Sequence, residues 1–322
     1  MAVYTPLTAE QIAGVLRAFG LAAPDRVQPE PRGGVNTNYH VWSGGRRWFL
    51  RVAEGKTEAD VRFEAEVHRY LHEARFPVAQ LLPAADGRPF VPVLGKPAML
   101  FSHAPGEEVT RAGADAGRCR RLGEQLGRLH DLGAGFPEER ANPYGPARVR
   151  AWLEALEPDG GGDPEVAAAL PLLRDELSLA GSLPGVPRGL VHCDLFADNV
   201  LWIGDRVSAV LDWEMSCVDA FAFDLGVALS SWCYTDGYDQ ARARALLGGY
   251  RARRETEPDT VDALYPFARY AALRFAASRI HGYHRAALGA ERLARKDWRR
   301  YRDRLVALRE MGEGGFRTLV GA

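Results

Sequence analysis

The stretch His192-Cys193-Asp194-Leu195-Phe196-Ala197-Asp198-Asn199, followed by Leu211-Asp212-Trp213, carries the densest chemistry in the chain. Phosphoryl transfer asks a protein for a carboxylate to take the proton of an attacking hydroxyl and for hard oxygen donors to hold magnesium on a triphosphate. Asp194 can be the base, and Asn199 and Asp212 can be the metal ligands. Asn199 lies five positions after Asp194, and Asp212 thirteen positions beyond that. That spacing suits a loop followed by a hairpin turning at Gly204-Asp205, which would return Asp212 to the side of Asn199. Asp and Asn in loops most often cap helices or close turns, but four matched positions (His192, Asp194, Asn199 and Asp212) between strand-like runs outweigh that reading. Zinc at His192, Cys193 and Asp194 is poorly supported, because neighbouring side chains on a strand point to opposite faces. His192 reads better as a residue that holds the loop.

A second group lies far upstream. Gly33-Gly34-Val35-Asn36-Thr37-Asn38 precedes a strand-like run, and its glycines would let the backbone approach phosphate oxygens, with Asn36, Thr37 and local N–H groups as donors. A Gly-Gly-x-Asn stretch is also ordinary turn chemistry. In Phe49-Leu50-Arg51-Val52, Arg51 can pair with Glu64 and still reach a phosphate; otherwise it is an exposed strand arginine. Asp224 can accept hydrogen bonds from the catalytic loop or cap the helix that follows it.

These residues need elements to carry them. Ile12, Leu16 and Phe19 recur at helical spacing over 8–19, with Thr8 and Gln11 as a capping box and Gly20 as the stop. Tyr39–Val41 and Trp48–Val52 read as strands around a Gly44-Gly45 turn. A helix follows over 58–75, then short apolar runs near 78–82, 89–94 and 97–103. After Ala104-Pro105-Gly106 the pattern is helical at 115–132, 146–156, 164–180, 238–253, 260–283 and 292–310. The exception is 189–213, three short apolar runs. A small sheet with a helix, a hinge, then a helical lobe with an embedded hairpin is the layout of a two-lobed kinase.

Composition narrows the class. The 322 residues carry 41 Lys+Arg against 42 Asp+Glu, a balance that argues against a nucleic-acid partner. With 47% hydrophobic residues the chain can bury a core unaided. Cys119, Cys193, Cys217 and Cys233 show no paired spacing and read as reduced thiols of a cytoplasmic protein. No stretch reads as a signal peptide or a membrane span.

The strings Gly34-Val35-Asn36-Thr37-Asn38-Tyr39, Gly95-Lys96-Pro97-Ala98, His192 through Leu201, Trp232-Cys233 and Leu273-Arg274-Phe275 with Ser278-Arg279 carry a resemblance over essentially the whole length. The chain resembles the aminoglycoside-phosphotransferase-like kinases and, within them, the bacterial homoserine kinases. The resemblance implies an α+β, protein-kinase-like two-lobed fold. Its small antiparallel-sheet lobe would span 1–103 and its larger, mostly helical lobe 104–322. It implies ATP and Mg2+ as cofactors and transfer to the hydroxyl of L-homoserine. Asp194 would be the base and Asn199 and Asp212 the magnesium ligands. Gly34, Asn36, Thr37, Asn38, Arg51 and Glu64 would serve the phosphates, and the hinge with Phe101 and His103 would seat adenine. For the acceptor's carboxylate the candidates are Arg274 and Arg279, and for its ammonium Glu214 and Asp198; the arginines could equally be interhelical salt bridges. His192 and Asp224 would support the loop. The rivals are a kinase for an aminoglycoside, choline or a sugar, and a silent nucleotide-binding pseudokinase, which should lack the base or the metal ligands that this chain retains. Trp213-Glu214, Ser230-Ser231 and Arg51 depart from the homoserine branch.

Overall fold

The computed structural model describes residues 5–30, 36–110, 113–156, 160–181, 183–254, 258–284 and 297–321. Gly33, Gly34 and Val35 lie outside the described residues. The chain divides into two compact units. The first takes Met1–Glu107, Leu201–Ile203 and Ser208–Glu214; the second takes Glu108–Val200, Gly204–Val207 and Met215–Ala322.

The first unit opens with α1 (Ala9–Ala18), capped as its sequence predicts: Gln11 N donates to Thr8 Oγ1 and Thr8 N to Gln11 Oε1. Strands β1 (Arg26–Pro29), β2 (Thr37–Ser43), β3 (Arg46–Val52), β4 (Leu81–Leu82), β5 (Val91–Val93) and β6 (Lys96–Ser102) form an antiparallel sheet. Their order is β1-β2-β3-β6-β4, with β5 also paired to β6. The β2–β3 hairpin turns on Gly44 and Gly45 at φ 60° and 71°, a left-handed pair that β-carbons would strain. Alternation splits the sheet. Val41, Leu50, Val52 and Leu100 pack with Leu16 of α1 on one face. Met99 and Phe101 pack with Val61 of α2 (Glu58–Glu73) on the other. Arg51 pairs with Met99 across β3–β6 and so shares the α2 face.

The run at 78–82 yields a strand only at Leu81–Leu82. Backbone groups just before it are taken elsewhere: the Ala79 carbonyl accepts from His68 Nδ1 and Gln80 N donates to Ser102 Oγ. Past β7 (Glu107–Glu108), the strands β9 (Val200–Ile203) and β10 (Arg206–Val210) make the hairpin expected at Gly204-Asp205.

The second unit is helical around a short ribbon, β8 (Arg188–Val191) antiparallel to β11 (Cys217–Ala220). Its helices are α3 (Ala116–Gly133), α4 (Pro146–Glu154), α5 (Pro164–Ala180), α6 (Phe221–Trp232), α7 (Gln240–Arg253) and α8 (Pro258–Arg279), with a C-terminal helix at Arg299–Val320. Helices α3 and α7 meet backbone to backbone, since a β-carbon on Gly123 or Gly249 would run into main-chain atoms of the other helix. All of α6 is buried, Asp224 included. Its N-cap is Ala220, so Asp224 sits inside the first turn and is not the cap that its position before an apolar run allowed. The predicted 292–310 helix is displaced. It runs Arg299–Val320 and breaks its dihedrals at Gly312, because Phe316, Leu319 and Val320 continue the apolar stripe beyond that glycine; 292–296 lie outside the described residues. Among the described residues no helix is long and apolar enough to cross a membrane.

Candidate active site

The loop after β8 hangs from one buried carboxylate. His192 N donates to Asp224 Oδ2 at 2.9 Å and Cys193 N to Oδ1 at 2.8 Å. His130 Nε2 stands 3.3 Å from Oδ2, and His130 Nδ1 is 2.8 Å from the Tyr250 hydroxyl. Burial alone would raise the Asp224 pKa, but the hydrogen bonds from the His130 ring and the His192 N–H help to outweigh it, and the carboxyl is held below its ordinary value. Burial lowers the pKa of His130. A neutral His130 that donates Nε2–H to the carboxylate and accepts the Tyr250 proton at Nδ1 satisfies both ring nitrogens.

Held this way, the loop turns sharply. Cys193 takes φ 66°, which for a residue with a β-carbon is backbone strain. Its thiol is buried 3.4 Å from that of Cys217, while Asp194 is partly exposed. Asp194 N donates to His192 Nδ1 at 3.2 Å, so the His192 ring faces the turn as an acceptor. Asn199 Nδ2 donates to the Asp194 carbonyl at 2.7 Å and to its Oδ2 at 3.3 Å. Trp232 Nε1 pins the Leu195 carbonyl at 2.9 Å. The Asp194 carboxylate is thus oriented through Oδ2 and keeps Oδ1 available to accept a proton. With its N–H group spent on Asp194, Asn199 has its amide oxygen left for a hard cation.

In the first unit a second constellation forms. Arg51 Nη1 donates to Glu64 Oε1 at 2.7 Å, Nη2 lies 3.8 Å from Asp212 Oδ1, and the guanidinium sits 5.3 Å from the Phe101 ring centroid. Burial opposes the charge of Arg51, yet Glu64, Asp212 and Glu214 more than offset it and raise its pKa. Asp212 takes φ 64°, another left-handed non-glycine. Asn36 Nδ2 donates to Glu214 Oε2 at 2.7 Å, and its Oδ1 accepts from Glu54 N at 3.1 Å. Thr37 Oγ1 donates to Glu54 and accepts from Thr5 N, and Glu54 also meets Lys96. Asn38 is buried, and its register partner is Arg51. His103 lies 3.4 Å from Arg47, and burial lowers its pKa.

Asn36, Arg51, Glu64, Phe101, Asp212 and Glu214 therefore gather in one unit, and Asp194, Asn199, His192 and Asp224 in the other. Gly34 lies outside the described residues. Asp198 is exposed on the loop. Arg279 donates to the Asp297 carbonyl, and Arg274, buried, makes no ion pair among the described residues, which removes the salt-bridge reading for it. Sequence reasoning missed Lys56, 3.9 Å from Glu214, and the His130–Tyr250 support. No local signal marks either, because their partners lie far off in sequence.

The model of the phosphotransferase enzyme family matches residues 26–256, a span that contains both constellations. The chain belongs to that family. This phosphotransferase is 36% identical to a homoserine kinase of Phenylobacterium zucineum (strain HLK1) over 300 residues, 90% of each chain. Among solved structures it is similar to an amicoumacin kinase bound to AMP-PNP and Ca2+, with TM-score 0.67, 18% identity and coverage of 89% and 88% of the two chains. It is also similar to a microcompartment-associated aminopropanol kinase, with TM-score 0.65, 18% identity and coverage of 95% and 97%. The phosphotransferase is a protein-kinase-like α+β protein and an ATP-dependent small-molecule kinase.

One consequence concerns Arg51. Glu64→Gln removes one of its carboxylates and shifts its charge onto Asp212. The KM for Mg-ATP is expected to rise about tenfold, the scale of losing one charge-assisted bond. Steady-state kinetics at saturating acceptor checks this, and an unchanged KM would make the pair purely structural.

Proposed function

We propose that the chain transfers the γ-phosphoryl group of ATP to the side-chain hydroxyl of L-homoserine, giving O-phospho-L-homoserine and ADP. The observation that carries this reading is the near full-length relationship to a homoserine kinase in a chain whose Asp194 carboxylate is oriented by Asn199 and left with an accepting oxygen. In this reading Asp194 takes the hydroxyl proton as the oxygen attacks phosphorus. Asn36, Thr37, Asn38 and the Gly34 backbone serve the phosphates, with Arg51 held for the same task by Glu64. Phe101 and His103 flank the adenine seat. An amide oxygen on Asn199 and a carboxylate on Asp212 are the hard donors that magnesium prefers, so the donor set fits that ion. When bound, magnesium neutralises charge on the phosphates. His192 and Asp224 hold the loop, and Glu214 and Asp198 remain the candidates for the acceptor's ammonium. Reduced, buried cysteines suit a cytoplasmic enzyme.

The test is an acceptor panel. Purified protein with Mg-ATP is given L-homoserine, 3-aminopropan-1-ol, choline and an aminoglycoside, and ADP release is followed with phosphorus NMR of the product. The expected result is a kcat/KM for homoserine about 10³-fold or more above the others. Turnover confined to another alcohol would reject homoserine as the acceptor.

A further inference from the structure

Resting on that reading and deepening it, we propose that Arg274 binds the carboxylate of the acceptor and thereby restricts the enzyme to hydroxy-amino acids. Arg274, on α8, is only 2% exposed, and its guanidinium lies 4.3 Å from the Tyr144 ring centroid and 3.9 Å from that of Phe275. Among the described residues its Nε and Nη2 find no hydrogen-bond partner. Arginine keeps its proton even when buried, and a buried charge without a counter-charge is costly. The two rings recover part of that cost through cation–π attraction, but they leave the N–H groups unsatisfied. Nε and Nη2 share one edge of the guanidinium, the edge that meets a carboxylate with two parallel bonds.

The location agrees. The Phe275 ring is 4.9 Å from that of Phe196, which belongs to the same loop as Asp194 and whose N–H donates to the Asp194 carbonyl at 2.7 Å. Phe196 and Phe275 both meet Tyr301, and Arg279 and Arg304, also buried, lie 4.4 and 4.8 Å from the Tyr301 ring centroid. Arg279 donates to the Asp297 carbonyl and Arg304 to the Ser230 and Arg300 carbonyls. Three buried guanidinium groups therefore border one aromatic cluster beside the catalytic loop. A ligand carboxylate on Arg274 would sit in a low-dielectric setting, where charge-assisted bonds are strongest.

The experiment compares L-homoserine with 3-aminopropan-1-ol, the same molecule without its carboxylate, in the wild type, Arg274→Gln and Arg274→Lys. The wild type is expected to prefer homoserine by about 10³-fold or more in kcat/KM, because a site built to bond a polar group rejects the analogue that lacks it. In Arg274→Gln, homoserine is expected to lose about 10²-fold, mainly through KM, while aminopropanol and the KM for ATP stay within about threefold. Arg274→Lys keeps the charge without the fork and should fall between; if the Gln variant does not fold, the Lys variant decides on the same ratio. A merely structural arginine would lower both acceptors together, so an equal loss, or a preference unchanged in both variants, overturns the proposal. A wild type that ignores homoserine and phosphorylates an uncarboxylated alcohol overturns the function proposed above as well. Turnover of homoserine with a ratio insensitive to both substitutions sinks the Arg274 assignment alone.

Discussion

Asp194→Asn is expected to lower kcat about 10³-fold, the scale of losing a positioned general base, while Mg-ATP affinity changes less than about threefold. The substitution keeps the size of the side chain and an oxygen for the bond from Asn199 Nδ2, so the loop retains its shape. In the proposed function it removes the group assigned to accept the proton of the attacking hydroxyl. Single-turnover kinetics with saturating nucleotide, and calorimetry for nucleotide binding, separate the two effects. A variant that keeps its rate would remove Asp194 from the reaction; one that loses nucleotide affinity equally would make it a metal-site residue instead.

Asp224→Ala is expected to lower stability by about 3–5 kcal/mol, because removing the buried anion orphans several donors at once, and to abolish most activity at temperatures where the chain still folds. The donors are His192 N, Cys193 N and the His130 ring, all fully or nearly fully buried. Cys193 holds its left-handed backbone against strain, and without that anchor the turn presenting Asp194 relaxes. Urea unfolding measures the stability loss, and a midpoint within error of wild type would remove Asp224 from its anchoring role. The sign with pH follows from the same pair. The Asp224 pKa is depressed on folding, so its stabilisation is complete above the ordinary carboxylate range and is lost only as pH falls through its lower folded value. His130 is also depressed, from 6.5. Below that pH the unfolded chain takes up a proton that the buried ring refuses, and stability declines as pH falls. The wild-type urea midpoint should therefore drop between pH 7 and 5, and Asp224→Ala should lose the carboxylate part of the acid dependence.

Much of the local structure was legible because its causes are local. Thr8 and Gln11 form the capping box that their spacing dictates, Gly44-Gly45 turns the β2–β3 hairpin, and Gly204-Asp205 turns β9 into β10. Arg51 could be paired with Glu64 on paper because the face of a strand and the face of the next helix follow from their periods. Asp224 could not be settled that way. An acid ahead of an apolar run looks the same whether it caps a helix or lies in its first turn, and only the packing of α6 beneath the loop decides between them.

The linear chain determined which groups are available for phosphoryl transfer and the elements that bear them, because helix periods, turn glycines and the Asp194–Asn199 interval are short-range properties. The tertiary structure decided which of those groups are held, and by what. His130 and Tyr250 reach Asp224 across stretches of sequence with no pattern to connect them. Among the described residues Arg274 has no carboxylate partner, because of what the folded core packs around it. Hydrogen bonds and charge pairs in a buried site depend on proximity in space, and proximity between distant segments exists only once the core has closed around them.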